Sequence, residues 1–253
     1  MGAMVGAAFA AGRIEQLETW ALSLDGKGVV GMLDIGLRGG LIKGHRLLDH
    51  FHVQFAGGPF SDLQLPFGAI ATDLASGQEV WLREGQVSDA VHASCAVPGL
   101  FRPVLRDCRY LVDGSIVNPI PVSLCRAMGA DVVIAVDLGS NRGRRAERAA
   151  RESPSYRQRL ASALLRRQVD VPASNTRDVA PLPSMIDGLF GAIDIMQERI
   201  SEQRLASEPP DVLLIPRLEP LGPFSYHRAA LAIAAGRDVV ALMLPTIHAS
   251  LAR

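Results

Sequence analysis

One acidic residue follows a short apolar strand and is the sequence's strongest candidate for chemistry. The segment Tyr110 to Ser115 reads YLVDGS, and Asn118 to Pro121 reads NPIP. Binding crevices in α/β proteins form outside the carboxyl ends of strands, so Asp113 stands where such a sheet presents reactive groups. Gly114 lets the backbone turn tightly there, because it has no Cβ to clash. On these residues alone, an Asp-Gly turn that holds its own backbone amides is an equally good interpretation.

Motifs for several other chemistries do not occur in the sequence. There is no GxxxxGK[ST] phosphate loop, no GxGxxG after a strand and no HExxH. Among the six histidines only His50 and His52 form a close pair, and we expect a surface pair rather than a metal site. The missing motifs argue against nucleotide binding and zinc proteolysis.

Composition and charge favour a folded, water-soluble chain. Apolar residues make up 48% and charged residues 21% of 253 residues, and this length suits one α/β domain over residues 1–253. The 26 basic and 26 acidic side chains cancel, so no overall field attracts nucleic acid, and none is expected as a partner. Three cysteines, Cys95, Cys108 and Cys125, form no CxxC pair, which favours a reducing, cytoplasmic setting.

Several helices and strands must position Asp113. Small apolar residues predict a core helix from Met1 to Ala11 that ends at Gly12. Further helices are predicted from Ile14 to Leu24, Ser88 to about Cys95, Pro121 to Met128, Met185 to Leu205, and Tyr226 to Ala252 with a bend at Pro245. The last of these contains Arg237 and Asp238 within its apolar stretch, so no transmembrane segment is predicted.

The predicted strands alternate with these helices. Runs of β-forming residues predict strands at Phe67 to Asp73, Glu79 to Arg83, Tyr110 to Val112, Asp131 to Leu138 and Asp211 to Pro216. The nearly unbroken apolar run from Asp131 to Leu138 is typical of a strand covered on both faces in a parallel sheet. The sequence therefore predicts an α/β fold, a three-layer sandwich with a mainly parallel central sheet.

An arginine-rich segment over residues 141–183 interrupts this pattern and is interpreted as an insertion or loop. Residues 141–180 contain ten arginines and four acidic residues. A solvated loop is one interpretation of such a charge run. The other uses Leu160, Leu164 and Leu165, which lie among the arginines in a basic amphipathic pattern suited to peripheral contact with an anionic membrane through residues 142–180.

Several segments resemble patatin-like phospholipases, especially the small bacterial proteins related to the neuropathy-target-esterase branch. Residues Ala93 to Val104 (ASCAVPGLFRPV) are similar to the segment that precedes the catalytic aspartate in that family. Phe67 to Gly77 (FGAIATDLASG) resembles the family's ATDL strand and turn. The resemblance extends to Gly39 to Leu48, Ala130 to Leu138, and Asp194 to Pro216, and so covers nearly the whole chain apart from the arginine-rich segment.

The resemblance implies a lipid acyl hydrolase with a serine–aspartate dyad. A serine in a GxSxG elbow attacks an ester of a lipid such as a phospholipid, and the aspartate of a DG[GA] motif accepts its proton directly. By this resemblance Asp113 is the catalytic base, Gly114 and Ser115 are its motif neighbours, and no histidine or cofactor is needed. An upstream glycine-rich loop would donate amides to the oxyanion.

The sequence departs from the family pattern in two places. Met1 and Gly2 resemble the last two positions of the elbow, so the nucleophilic serine is expected immediately before Met1, and the first strand further upstream. The chain as given is thus expected to lack both and to be inactive, and we interpret the missing part as a start assigned too late. Ser115 replaces the usual small residue of the motif, and its hydroxyl is expected to bond to Asp113. The alternative is a catalytically dead pseudoenzyme that acts as a binding or regulatory module.

Overall fold

The computed structural model describes residues 2–25, 45–55, 57–139, 185–218 and 225–252. Seven α-helices occur within these ranges: α1 Gly2–Ala10, α2 Ile14–Ser23, α3 His45–Gln54, α4 Val87–Ser94, α5 Val122–Ala127, α6 Met185–Ser207 and α7 Ala229–Leu251. The six strands are β1 Ala69–Asp73, β2 Glu79–Leu82, β3 Val104–Arg106, β4 Arg109–Asp113, β5 Ile134–Val136 and β6 Val212–Leu214. Met1 and the arginine-rich segment 141–183 lie outside the described residues.

The first helix is built from small residues because it packs deep in the protein. Four of its nine residues are buried, namely Met4, Ala7, Ala8 and Ala10. Gly12 has φ +68° just beyond the helix end, a left-handed conformation that glycine adopts without the Cβ clash other residues meet. The predicted helix with its stop at Gly12 is therefore confirmed.

Four strands form an antiparallel sheet in the order β2-β1-β4-β3. A mainly parallel central sheet was predicted, and in the described residues this prediction is wrong for these strands. The reason lies in the connections: β1 reaches β2 through residues 74–78, and β3 reaches β4 through Asp107 and Cys108. Links this short join only antiparallel neighbours, since a parallel crossover needs a dozen or more residues. Asp107 and Cys108 both have positive φ, as a two-residue hairpin turn of type I′ requires.

Strands β5 and β6 pair in parallel, with Ile134 opposite Val212 and Val136 opposite Leu214. The sequence predicted that β5 would be covered on both faces. Of the three residues of β5, Ala135 is buried, whereas Ile134 is 41% and Val136 is 52% exposed in the part of the chain that the structure describes. The covered face packs with Ile120, Val122 and Val133, and Leu205 of α6 contacts the same cluster. The chain is thus α/β, and its described residues form one antiparallel sheet and one parallel strand pair.

By length and composition, helix α7 could cross a membrane, and its most apolar stretch is not buried among the described residues. Arg237 within it forms an ion pair with Glu18 of α2. The prediction that the chain has no transmembrane segment stays a prediction.

Candidate active site

Asp113 is the last residue of β4 and is buried, with 9% of its surface exposed. It lies opposite Ala71 of β1 in the antiparallel register, so the two side chains share one face of the sheet. Leu111 shares that face because side chains alternate along a strand. Ala71 and Leu111 belong to one buried cluster against which Ala3 in the first turn of α1 packs. The Asp113 side chain therefore leaves the sheet on the face that carries the amino-terminal turn of α1.

Two neighbouring segments hold the backbone of Asp113. Its N–H donates to the carbonyl oxygen of Ala96 at 3.0 Å. The hydroxyl of Thr72, buried on β1, donates to the carbonyl oxygen of Asp113 at 2.9 Å. Ala96 and Thr72 belong to the two stretches that carried the strongest family resemblance, so these stretches converge on the aspartate. No role was predicted for either residue from the sequence.

Gly114 is required by a close approach of two strands. A Cβ at this position would lie 2.2 Å from the carbonyl oxygen of Ile70 and 2.5 Å from its carbonyl carbon. A side chain there would push β1 away from the end of β4. The sequence predicted a glycine needed for a tight turn, and the turn is present as a 3₁₀ turn over Gly114–Ile116.

The carboxylate of Asp113 is fixed through one of its oxygens. Oδ1 accepts a hydrogen bond of 2.8 Å from the backbone N–H of Ser115 and so caps the 3₁₀ turn. The turn interpretation of Asp-Gly is thus realised in the structure. It does not compete with a chemical role, because Oδ2 receives no hydrogen bond from the residues that the structure describes.

Ser115 does not use its hydroxyl as the sequence analysis expected. The hydroxyl was expected to bond to Asp113, but its oxygen instead accepts a hydrogen bond of 2.6 Å from Nε2 of Gln197 on α6. The backbone N–H of Ser115 is the group that contacts Asp113. Gln197 had no predicted role, and the chain offers no local signal for this contact because 82 residues separate the two partners.

A second polar cluster lies at the far end of the same loop. The carboxylate of Glu79 on β2 accepts hydrogen bonds from Nη2 of Arg204 on α6 at 2.9 Å and from Nδ2 of Asn118 at 3.0 Å. It also accepts one from Nε1 of Trp81 at 2.6 Å. The backbone N–H of Asn118 returns to the carbonyl oxygen of Gly114 at 2.9 Å. The loop from Asp113 to Asn118 is therefore held at both ends, and this cluster was not predicted.

The histidine pair is half-buried rather than on the surface as predicted. The His50 ring stacks on Trp20 with ring centroids 5.2 Å apart, and it also meets the edge of Phe55. His50 Nε2 and His52 Nδ1 are buried, and neither forms a hydrogen bond within the part of the chain that the structure describes. Their environment is aromatic and apolar, which suits packing.

A surface groove of about 780 Å³ lies elsewhere. Its walls are Phe60, Leu63, Gln64, Leu65, Pro66, Phe67, Trp81, Arg83, Glu84, Ala127 and Met128. These residues include no serine, cysteine or histidine, and their carboxylate, that of Glu84, is exposed, unlike the buried carboxylate of Asp113. We therefore place the candidate site at Asp113.

The chain is similar to known proteins of one family. The family model described as patatin-like phospholipase matches residues 1–126. An uncharacterized NTE family protein of Mycobacterium tuberculosis (strain ATCC 25618 / H37Rv) is 31% identical over 94% of this chain and 79% of its own length. The chain belongs to the patatin-like phospholipase family. Patatin-like phospholipase domain-containing protein 7 of Mus musculus is 38% identical over 81 residues, which are 31% of this chain and 6% of that protein.

Within this family the chain belongs to the NTE-related branch, because the relatives that it matches support that branch. A second uncharacterized NTE family protein of Mycobacterium tuberculosis is 39% identical over 72 residues, or 28% of this chain and 12% of its own length. At the family level the chain is thus of the lipid hydrolase kind. Of the predicted elbow remnant, Gly2 begins α1 and is exposed, and Met1 lies outside the described residues.

Proposed function

We propose that Asp113 is the general base of a lipid acyl hydrolase that uses a serine–aspartate dyad. The observation that carries the proposal is the position of its buried carboxylate, on the sheet face that holds the first turn of α1, with Oδ1 fixed and Oδ2 unengaged by the described residues. The proposed partner is a serine, which the resemblance to the family's elbow leads us to expect directly before α1. The substrate class is an ester-linked lipid, and the chemistry requires no metal and no organic cofactor.

The proposed reaction has two halves. In the first, the serine Oγ attacks the ester carbonyl carbon while its proton passes to the Asp113 carboxylate, and the carbonyl electron pair moves onto oxygen. Collapse of this intermediate breaks the ester C–O bond, and the leaving alcohol takes the proton from Asp113. In the second half, a water molecule attacks the acyl carbonyl carbon and loses a proton to Asp113. The bond from that carbon to serine Oγ then breaks, Oγ takes the proton back from Asp113, and the acyl group leaves as a fatty acid.

The test is hydrolysis of a p-nitrophenyl ester by the protein extended with the in-frame residues encoded directly upstream, provided that they contain G-x-S. We expect Asp113→Asn to reduce kcat about 10²- to 10⁴-fold, the usual contribution of a positioned acid or base. A fluorophosphonate should label the serine before Met1. The 253-residue chain alone should remain unlabelled and inactive.

Asp73→Asn is the matched control for this test. Asp73 also ends a strand, is buried, and has Oδ1 bonded to a backbone N–H, that of Ala75 at 3.0 Å. That hydrogen bond lowers the pKa of Asp73, and an asparagine oxygen can still accept it. Its turnover should match that of the unaltered protein. Equal rates for Asp113→Asn and Asp73→Asn would refute the assignment of the base, and a stop codon directly upstream would favour the pseudoenzyme alternative.

A further inference from the structure

We infer that Gln197 is a positioning residue that sets the orientation of the Asp113 carboxylate through Ser115. The inference rests on the proposed function of Asp113. Nε2 of Gln197 donates to Oγ of Ser115, and the backbone N–H of the same serine donates to Oδ1 of Asp113. Ser115 therefore bonds to Gln197 through its hydroxyl and to Asp113 through its backbone N–H. Among the described residues, this N–H is the donor that fixes the rotamer of Asp113.

The contact exists because the motif carries a hydroxyl where a smaller residue is usual. A glycine or alanine at position 115 would offer α6 no hydrogen-bond acceptor on its side chain. The serine gives Gln197 a partner at 2.6 Å, which is short for an N–H···O bond. Ser115, which departs from the family pattern, and Gln197 of α6 are thus joined by one hydrogen bond.

Helix α6 presents a second anchor on the same face. Gln197 and Arg204 are seven residues apart, which places them on one side of the helix and about 10 Å apart along its axis. Ser201 lies between them on that side and is buried. Arg204 holds Glu79, which in turn holds Asn118 at the end of the loop.

The two anchors differ in environment and in expected effect. The Arg204–Glu79 pair is partly buried, with 32% of the arginine and 16% of the glutamate side chain exposed, and it links α6 to β2. Its loss should loosen the helix as a whole. Gln197 contacts Ser115, whose backbone N–H donates to the Asp113 carboxylate, so loss of Gln197 should act on that carboxylate with little effect on the sheet.

The experiment uses the 253-residue chain and needs no turnover. Gln197→Met keeps the length of the side chain and removes the donor, and Gln203→Met makes the same change on an exposed face of α6. We expect the Ser115 amide to exchange with solvent roughly five- to tenfold faster in Gln197→Met, as the loss of one net hydrogen bond implies. The ¹³C carboxyl signal of Asp113 should shift in the same variant, and both readouts should be unchanged in Gln203→Met.

A double-mutant cycle with Ser115→Ala separates positioning from general stability. If Gln197 acts through the Ser115 hydroxyl, Ser115→Ala shifts the Asp113 signal as well, and adding Gln197→Met changes it no further. Additive shifts, or an unmoved Asp113 signal in Gln197→Met, overturn the inference. In the extended protein, Gln197→Met should lower kcat with KM unchanged. Undiminished ester hydrolysis by Asp113→Asn would instead refute the role of Asp113 as the base. That result would not change the Ser115 exchange rate or the Asp113 carboxyl signal expected for Gln197→Met.

Discussion

At the scale of single residues, steric contact around Asp113 is as restrictive as hydrogen bonding. The backbone of Gly114 lies against the Ile70 carbonyl group so closely that any Cβ would overlap with it. The Ile70 carbonyl belongs to β1, which also supplies Thr72 to the carbonyl oxygen of Asp113. A side chain at position 114 would therefore disturb the pairing of β1 with β4 and the bond from Thr72 together.

We predict that Gly114→Ala lowers the free energy of unfolding by about 1–3 kcal/mol or more, the range of overpacked interiors. Gly191→Ala is the matched control, because a Cβ there meets none of the described residues within 4 Å and the position lies in α6. Alanine is the better helix former, so the control should gain about 0.5–1 kcal/mol. Urea unfolding of both variants measures the difference. Similar urea midpoints for the two variants would show that β1 shifts to accommodate the new side chain without a loss in the free energy of unfolding.

The sequence predicted the residues of the site that are close along the chain and missed those that are distant. Asp113, Gly114 and Ser115 were found because they follow a predicted strand and because the segments on either side resemble those of one family. Gln197 and Arg204 could not be found this way, since their partners Ser115 and Glu79 lie 82 and 125 residues away. Such contacts depend on how α6 is rotated against the loop, which helical periodicity alone does not fix.

At the scale of elements, each predicted helix lies within a few residues of its predicted bounds, but α3 was not among the predicted helices, and the direction of the sheet was not predictable. The helix from Met185 was expected to end at Leu205 and ends at Ser207. An apolar run such as that of β5 identifies a strand but not the direction of its neighbour. The short turns between β1 and β2 and between β3 and β4 determined the antiparallel sheet, and turn length was the signal that could have corrected the prediction.

One carboxylate links three elements near the parallel strand pair. Oδ2 of Asp211, just before β6, accepts hydrogen bonds from the backbone N–H of Val133 at 2.8 Å and from Arg126 of α5. Arg126 also donates to the carbonyl oxygens of Ala130 and Asp131. The N–H of Val133, followed by the Arg126 guanidinium, lowers the pKa of Asp211 below its usual value.

This lowered pKa predicts an acid-dependent loss of stability. In the unfolded chain Asp211 takes up a proton near pH 4, and in the folded protein it does so only at lower pH, so its stabilisation is complete above pH 4 and is lost as the pH falls through the folded value. Asp211→Asn should lower the urea midpoint at pH 6 and should weaken its fall between pH 6 and pH 3. Asp131→Asn, an exposed carboxylate of the same region, is the control. An unchanged pH dependence in Asp211→Asn would contradict the role of this carboxylate.

At the scale of the whole molecule, charge is balanced overall but uneven along the chain. The 26 basic and 26 acidic side chains give no net charge, so long-range attraction to an anionic surface must come from a local excess. The largest excess of basic residues along the sequence is in residues 141–180, which contain ten arginines and four acidic residues. For a hydrolase of ester-linked lipids, a surface that concentrates the protein on its substrate would raise the encounter rate.

We therefore predict that the protein binds anionic vesicles through residues 142–180. The full chain should co-sediment with vesicles that contain phosphatidylserine and should remain in solution with vesicles of phosphatidylcholine alone, because each basic residue near an anionic surface contributes about 1 kcal/mol. Raising the ionic strength from about 0.1 M to 1 M shortens the screening length from about 10 Å to 3 Å and should release the protein. Deletion of residues 142–180 should abolish binding, whereas the Gln203→Met variant should bind as the unaltered chain does. Co-sedimentation that persists after the deletion would assign membrane contact to another surface, and absence of binding by the full chain would favour the solvated loop, since arginines kept in water gain nothing from lipid headgroups.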